Sequence, residues 1–161
     1  MEMFAGLVHS WLGAIHLFFS LLSLIGGSIV LLLPKGNRRH KQMGYLYLAC
    51  MVIVNASSLG IYRLTGTFGV FHVAAIVSFL TLIGGMIPLF LPGLDRQSRG
   101  MHLWFMYYSV LGLYAAFVAE ISVRIPGAPF YPMVGLATLV IFGGGTLFIL
   151  RKEMEWQKHF L

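Results

Sequence analysis

From Trp11 to Leu33 the chain runs through twenty-three residues without one Asp, Glu, Lys or Arg. A helix needs about 20 apolar residues to cross the roughly 30 Å hydrocarbon layer of a bilayer, so this stretch suffices for one crossing. Taken with it, four more runs follow, and the five lie near residues 11 to 33, 43 to 62, 70 to 91, 101 to 123 and 131 to 150. Between them stand PKGNRRHKQ, RLTGTFG, PGLDRQSRG and RIPGAPFYP, each with the Pro or Gly that ends a helix. With 58 % apolar and 10 % charged residues, the chain carries more apolar surface than a water-soluble core of 161 residues can hide. Lipid accepts that surface and asks only that backbone groups bond internally, which helices do.

The first run is too long for a signal-peptide core and has no basic residue before it, so it is read as a retained span. Cys50, the single cysteine, falls inside an apolar run and reads as a small core residue. Short cytoplasmic loops retain Lys and Arg. Lys35, Arg38, Arg39, Lys41, Arg96, Arg99, Arg151, Lys152 and Lys158 fall on one side of five alternating spans, with Arg63 and Arg124 on the other. The N-terminus is therefore expected outside and the C-terminal tail in the cytoplasm of a cell whose inner membrane holds the chain. The net charge of +6 then reads as a cytoplasmic collar for anionic lipid head groups and makes no case for nucleic acid.

SLLSLIGG at 20 to 27 returns as SFLTLIGG at 78 to 85, and the match extends without gaps from 20 to 36 and from 78 to 94. After the second loop, His40 followed by Tyr45 mirrors His102 followed by Tyr107, now sixty-two residues apart. The expected fold is all-α and integral to the membrane, with five transmembrane helices. Hairpins 11–62 and 70–123 form a parallel two-hairpin repeat and a four-helix bundle, followed by an extra helix, 131–150, and a tail, 151–161. A pseudo-two-fold along the membrane normal then makes His40 and His102 partners across the cytoplasmic end. The same register equates His16 with Ala74, so His16 and His72 sit on mismatched faces. Small residues also let helices approach closely, so Ser23 with Gly27 and Thr81 with Gly85 have a packing use of their own.

Ionisable groups inside spans point to function. At 1.5 Å per residue, His16, His72 and Glu120 fall near the outer edge of the hydrocarbon, and His9 farther out. One stripe joins His40, Gly44, Tyr47, Met51, Asn55, Ser58 and Tyr62, and another joins His102, Met106, Ser109, Leu113, Glu120 and Arg124.

Three readings follow. In the first, a b-type haem is held by His40 and His102, with a second on His16 and His72, and with Arg38, Arg39 and Arg99 near the inner propionates. Its layout is similar to cytochromes of the b561 type, and it serves electron transfer to a redox partner. In the second, His16, His72 and Glu120 hold zinc or iron at the outer edge, as two histidines and a carboxylate suit either metal. In the third these groups are structural: Glu120 pairs Arg124, Asn55 bonds a neighbouring helix, and the chain is a non-enzymatic scaffold or assembly partner of a larger membrane complex. No phosphate loop, GxSxG or metal-binding Cys pair is present.

KGNRRHKQMGYLY at 35 to 47, with a histidine early in the first span and His102 near the start of the fourth, resembles a block of a bacterial family of membrane proteins of unknown function. The likeness covers roughly residues 11 to 124, and Lys41 stands where many members carry Arg. It implies a bacterial inner-membrane protein and brings no activity with it.

Overall fold

The computed structural model describes residues 10–62, 66–90 and 96–160, the backbone alone for 96 and 153–160. His9 and Arg63 lie outside the described residues, as do the side chains of Arg96 and Lys158. Among the described residues the fold is all-helical: α1 (Trp11–Leu32), α2 (Arg38–Ser58), α3 (Val70–Phe90), α4 (Arg96–Ser122) and α5 (Phe130–Phe160).

Helix ends follow local chemistry. The Ser10 side chain caps α1 by accepting from the Gly13 N–H at 3.1 Å. Leu33, ahead of Pro34, is extended, as a residue preceding proline prefers. The Lys35 ammonium donates to the orphan carbonyls of Val30 at 3.0 Å and Leu31 at 2.7 Å. Gly36, at φ 79°, then turns the chain through the left-handed region. Asn37 opens α2, its Oδ1 accepting from the His40 N–H at 2.7 Å.

That cap starts α2 five residues before the expected span, so Arg38, Arg39, His40 and Lys41 form the first turn of a helix and are not part of a loop. α4 likewise begins at Arg96, and α5 continues through the expected tail to Phe160. Apolar periodicity marks where lipid ends, whereas a helix ends where capping ends, and here the two differ by one or more turns.

Four helices are long and apolar enough to cross a membrane: α1, α3, the segment Gln97–Ser122 of α4 and the segment Phe130–Lys152 of α5. The fifth expected span, α2, falls short in apolarity, because its first turn is basic and its last two turns carry Asn55, Ser57 and Ser58.

The chain divides into two compact units, one from Met1–Phe79 with Arg124–Gly127, the other from Leu80–Val123 with Ala128–Leu161. In the first, α1 packs on α2, and Leu24, Val30, Tyr47, Cys50, Met51 and Val54 are buried along with Ser20, Ser23, Asn55 and Ser57. In the second, α4 packs on α5 over Tyr107, Val110, Leu113, Ala119 and Ile149. The Tyr107 hydroxyl donates to the Gly145 carbonyl at 2.8 Å, and the Tyr108 hydroxyl bonds Thr146 Oγ1 at 3.0 Å. Of the three glycines at 143 to 145, Gly145 is closely packed: a Cβ there would run into Leu111, whereas Gly143 and Gly144 meet nothing within 4 Å among the described residues.

The repeated phrase is a packing surface in both copies. A Cβ on Gly26 would lie 3.9 Å from Tyr47 Cβ, and one on Gly84 would lie 2.8 Å from Phe105 Cε1. Each member of the second contact stands fifty-eight residues after its counterpart. At that single offset His102 aligns with Gly44, and His40 lies one turn before it.

Candidate histidine sites

His102 sits in the second turn of α4, half-buried, with Nδ1 2.7 Å from the Gly85 carbonyl of α3. A carbonyl only accepts, so Nδ1 bears the proton and the lone pair belongs to Nε2. Two features of α3 bring that carbonyl to the ring. Gly85 has no side chain to hold α4 away, since a Cβ there would meet Met106 Sδ at 2.8 Å and Phe105 Cβ at 3.2 Å. Pro88 lies inside the same helix and removes an N–H from the backbone ladder one turn on, which loosens it at Gly84. The first copy of the phrase carries Val30 where the second has Pro88.

His16, half-buried in α1, is held by the same kind of bond. Its Nδ1 stands 3.1 Å from the Val54 carbonyl and 3.0 Å from Ser57 Oγ, both on α2. The Ser57 hydroxyl lies 2.7 Å from the Ile53 carbonyl, and donating there leaves its oxygen to accept from the imidazole. His16 is thus also an Nδ1–H tautomer with its lone pair on Nε2. An N–H donated to a backbone carbonyl is the usual second-shell support of a metal-ligating histidine, because it fixes the ring and raises the basicity of the other nitrogen.

His72 is the reverse case. It occupies the third position of α3 and is 3 % exposed. The Gly69 N–H donates to its Nδ1 at 3.0 Å, the half of a capping box in which a side chain reaches back to the cap residue. The neutral ring therefore carries its proton on Nε2. Tyr62 and Phe68 flank it, with centroids 4.6 Å and 4.9 Å away and planes tilted by 31° and 26°.

The remaining candidates are placed as follows. His40 is half-buried in the first turn of α2, and Arg38 and Arg39 beside it are exposed. Arg99 and Glu120 are half-buried on α4. Among the described residues, which include His16, His72 and Glu120, no three His, Cys, Asp or Glu side chains gather into a metal-holding group. His72 would in addition have to surrender its cap or exchange tautomer to present a lone pair. Of the two stripes, Tyr47, Met51 and Asn55 on α2 and Ser109 and Leu113 on α4 are buried, whereas Tyr62 is exposed and the other members are half-buried.

Sequence reasoning missed the Gly85 carbonyl, Pro88 and the ring pair around His72. Pro88 was a readable sign of a freed carbonyl at Gly84, one residue from the acceptor itself, and Gly69 three residues before His72 a readable sign of a cap. The stacking of Tyr62 and Phe68 on one ring depends on how the connection folds and leaves no local pattern. No protein-family model, curated protein or solved structure matches this chain.

Proposed function

We propose that the chain is a small polytopic protein of a bacterial cytoplasmic membrane, N-terminus outside, that holds a b-type haem on histidine and passes single electrons. The observation that supports this is the state of His102: a 2.7 Å bond from Nδ1 to a backbone carbonyl sets the imidazole with its lone pair on Nε2, as an axial ligand requires. His40 is a candidate ligand in the first unit. Its place one turn before the position equivalent to His102 keeps it on the same face of its helix. Arg38, Arg39 and Arg99 supply cations for the propionates. His16, prepared in the same way as His102, is the candidate ligand of a second haem, while the tautomer of His72 argues against its serving there. The haem, when bound, supplies the Fe(III)/Fe(II) couple. The protein orients the ligand rings and keeps water from the iron.

The test is a dithionite-reduced minus oxidised spectrum of protein purified in mild detergent from haem-supplied cells. A Soret and alpha band that vanishes in His102→Ala and in His40→Ala is expected, and a chain with no such band refutes the proposal.

A second reading is an assembly partner in a larger membrane complex, and one observation favours it. In α5 the apolar window is only 11 % buried, and Gly135, Gly143 and Gly144 have nothing within 4 Å of a built Cβ. Open glycines on a lipid-facing helix suit close approach by another helix. Gly143→Leu with Gly144→Leu should then abolish co-purification with partners while leaving the chain folded; unchanged co-purification would exclude this face.

A further inference from the structure

The first unit contains hydrogen-bond donors for which its fold provides no acceptor. His72 is 3 % exposed and Asn55 4 %, and among the described residues neither Nε2 of the one nor Nδ2 of the other has a hydrogen-bond partner. For His72 the polarity is settled, because the Gly69 N–H occupies the Nδ1 lone pair at 3.0 Å and leaves the proton on Nε2. A buried N–H without an acceptor costs about 1–3 kcal/mol. The cap at Gly69 accounts for Nδ1 of the imidazole, and neither that cap nor the ring contacts account for a buried Nε2–H.

Both donors lie at one end of the unit. Asn55 is in the last turn of α2, His72 is in the first turn of α3, and Tyr62, from the connection between the two helices, stacks on the His72 ring. Tyr62 and Phe68, whose ring centroids lie 4.6 Å and 4.9 Å from that of His72, are 46 % and 56 % exposed. What would satisfy this arrangement is an uncharged oxygen acceptor on an apolar body, since two neutral N–H donors among aromatic rings do not offset the cost of burying an unpaired anion.

We infer that this end of the first unit binds a carbonyl-bearing lipid-phase molecule, whose oxygen accepts from His72 Nε2–H and Asn55 Nδ2–H while its body lies against Tyr62 or Phe68. An isoprenoid quinone head group presents this chemistry most fully, with carbonyl acceptors on a flat ring carried by an apolar tail. The acyl ester of a phospholipid presents the carbonyl without the ring. The site needs no iron and stands or falls separately from the haem reading.

The experiment uses the full chain, labelled with ¹⁵N-histidine and placed in nanodiscs of dialkyl-ether phospholipid, which has no ester carbonyl. The His72 Nε2–H resonance is assigned by its loss in His72→Phe. A short-chain ubiquinone added to these discs should move that resonance downfield with saturation. His72→Phe, which keeps the ring stack, and Asn55→Ala should each weaken quinone binding about tenfold. If the resonance moves instead on exchanging ether for ester lipid without quinone, the acceptor is the lipid ester and the site is still a carbonyl site. A resonance at one position in all three samples, as a bound water would give, overturns the inference, as does quinone binding that is equally tight in His72→Phe.

Discussion

The two copies of the repeated phrase use their glycines differently. In the first, Gly26 faces Tyr47 at an ordinary 3.9 Å, and Gly44 on α2 has nothing within 4 Å. In the second, a Cβ on Gly85 would strike Met106 at 2.8 Å, and His102, which replaces Gly44 at the same offset, bonds the Gly85 carbonyl at 2.7 Å. Val30 in the first copy has become Pro88 in the second. The first phrase packs on its neighbouring helix, whereas beside the second a histidine bonds the Gly85 carbonyl, one residue from the carbonyl that Pro88 leaves without a ladder partner. Near-identical apolar sequences thus do different work, depending on what stands opposite them.

The sharpest way to break that contrast is bulk at the glycines. Gly85→Leu should cost about 3 kcal/mol or more, because Met106 and the Phe105 Cβ cannot both withdraw, and it should separate the His102 ring from its acceptor. At the corresponding pair, Gly84→Ala presses on the Phe105 ring at 2.8 Å and should cost more than Gly26→Ala, which meets Tyr47 at 3.9 Å and should change stability by less than about 1 kcal/mol. Unfolding in mixed micelles measures both, and equal losses would show the two surfaces to be packed alike.

The next effect is at the donor. His102→Leu removes a hydrogen bond with its donor and should cost about 1 kcal/mol, together with any haem band. Gly44→Ala, at the aligned position of the first hairpin, meets open space and should be neutral or stabilising by up to about 1 kcal/mol. If His102→Leu unfolds no sooner than the native chain, the contact with Gly85 contributes little and the proposed ligand loses its support.

What the sequence disclosed follows from which forces have a period. Burial in lipid acts on every residue of a span, so the apolar runs between Trp11 and Lys152 stood out and four of the five have the apolar length of a crossing. α2 reads more weakly because Asn37 recruits Arg38 to Lys41 into the helix, and capping is a single-residue event that leaves hydropathy unchanged. The histidines could be counted but not sorted. His16, His72 and His102 look alike in sequence, and only the group facing each Nδ1, a carbonyl for two and an N–H for the third, separates them. Comparing the phrases suggested an offset of sixty-two after the loop, whereas the glycine contacts keep fifty-eight throughout. The early start of α2 and of α4 leaves no mark in hydropathy.

A smaller effect tests how the first unit tolerates its buried polar atoms. Ser23 Oγ is fully buried there with no hydrogen-bond partner. Ser23→Ala should therefore be neutral or stabilising by up to about 1 kcal/mol. Tyr107→Phe in the second unit removes a bond that is made, to the Gly145 carbonyl at 2.8 Å, and should cost about 1 kcal/mol. Opposite signs for two single-hydroxyl deletions would sharpen the comparison, and matching losses would show that Ser23 has an acceptor in solution.

The smallest effect lies at the end of the first phrase, where Lys35 caps α1. Burial pushes its ammonium down from 10.5 to about 8, while the unfolded chain keeps the ordinary value. Between about pH 8 and 10.5 the unfolded state binds more protons, so stability rises with pH across that window and is level below it. The rise is modest, because the group is only partly buried and solvent screens it, and deprotonation preserves N–H groups for the Val30 and Leu31 carbonyls. The second phrase ends in Pro92-Gly93 with no lysine at that step, so the dependence belongs to the first copy alone. Lys35→Met should flatten the pH profile of unfolding in this window, and a profile unchanged by the substitution would place the ammonium in water.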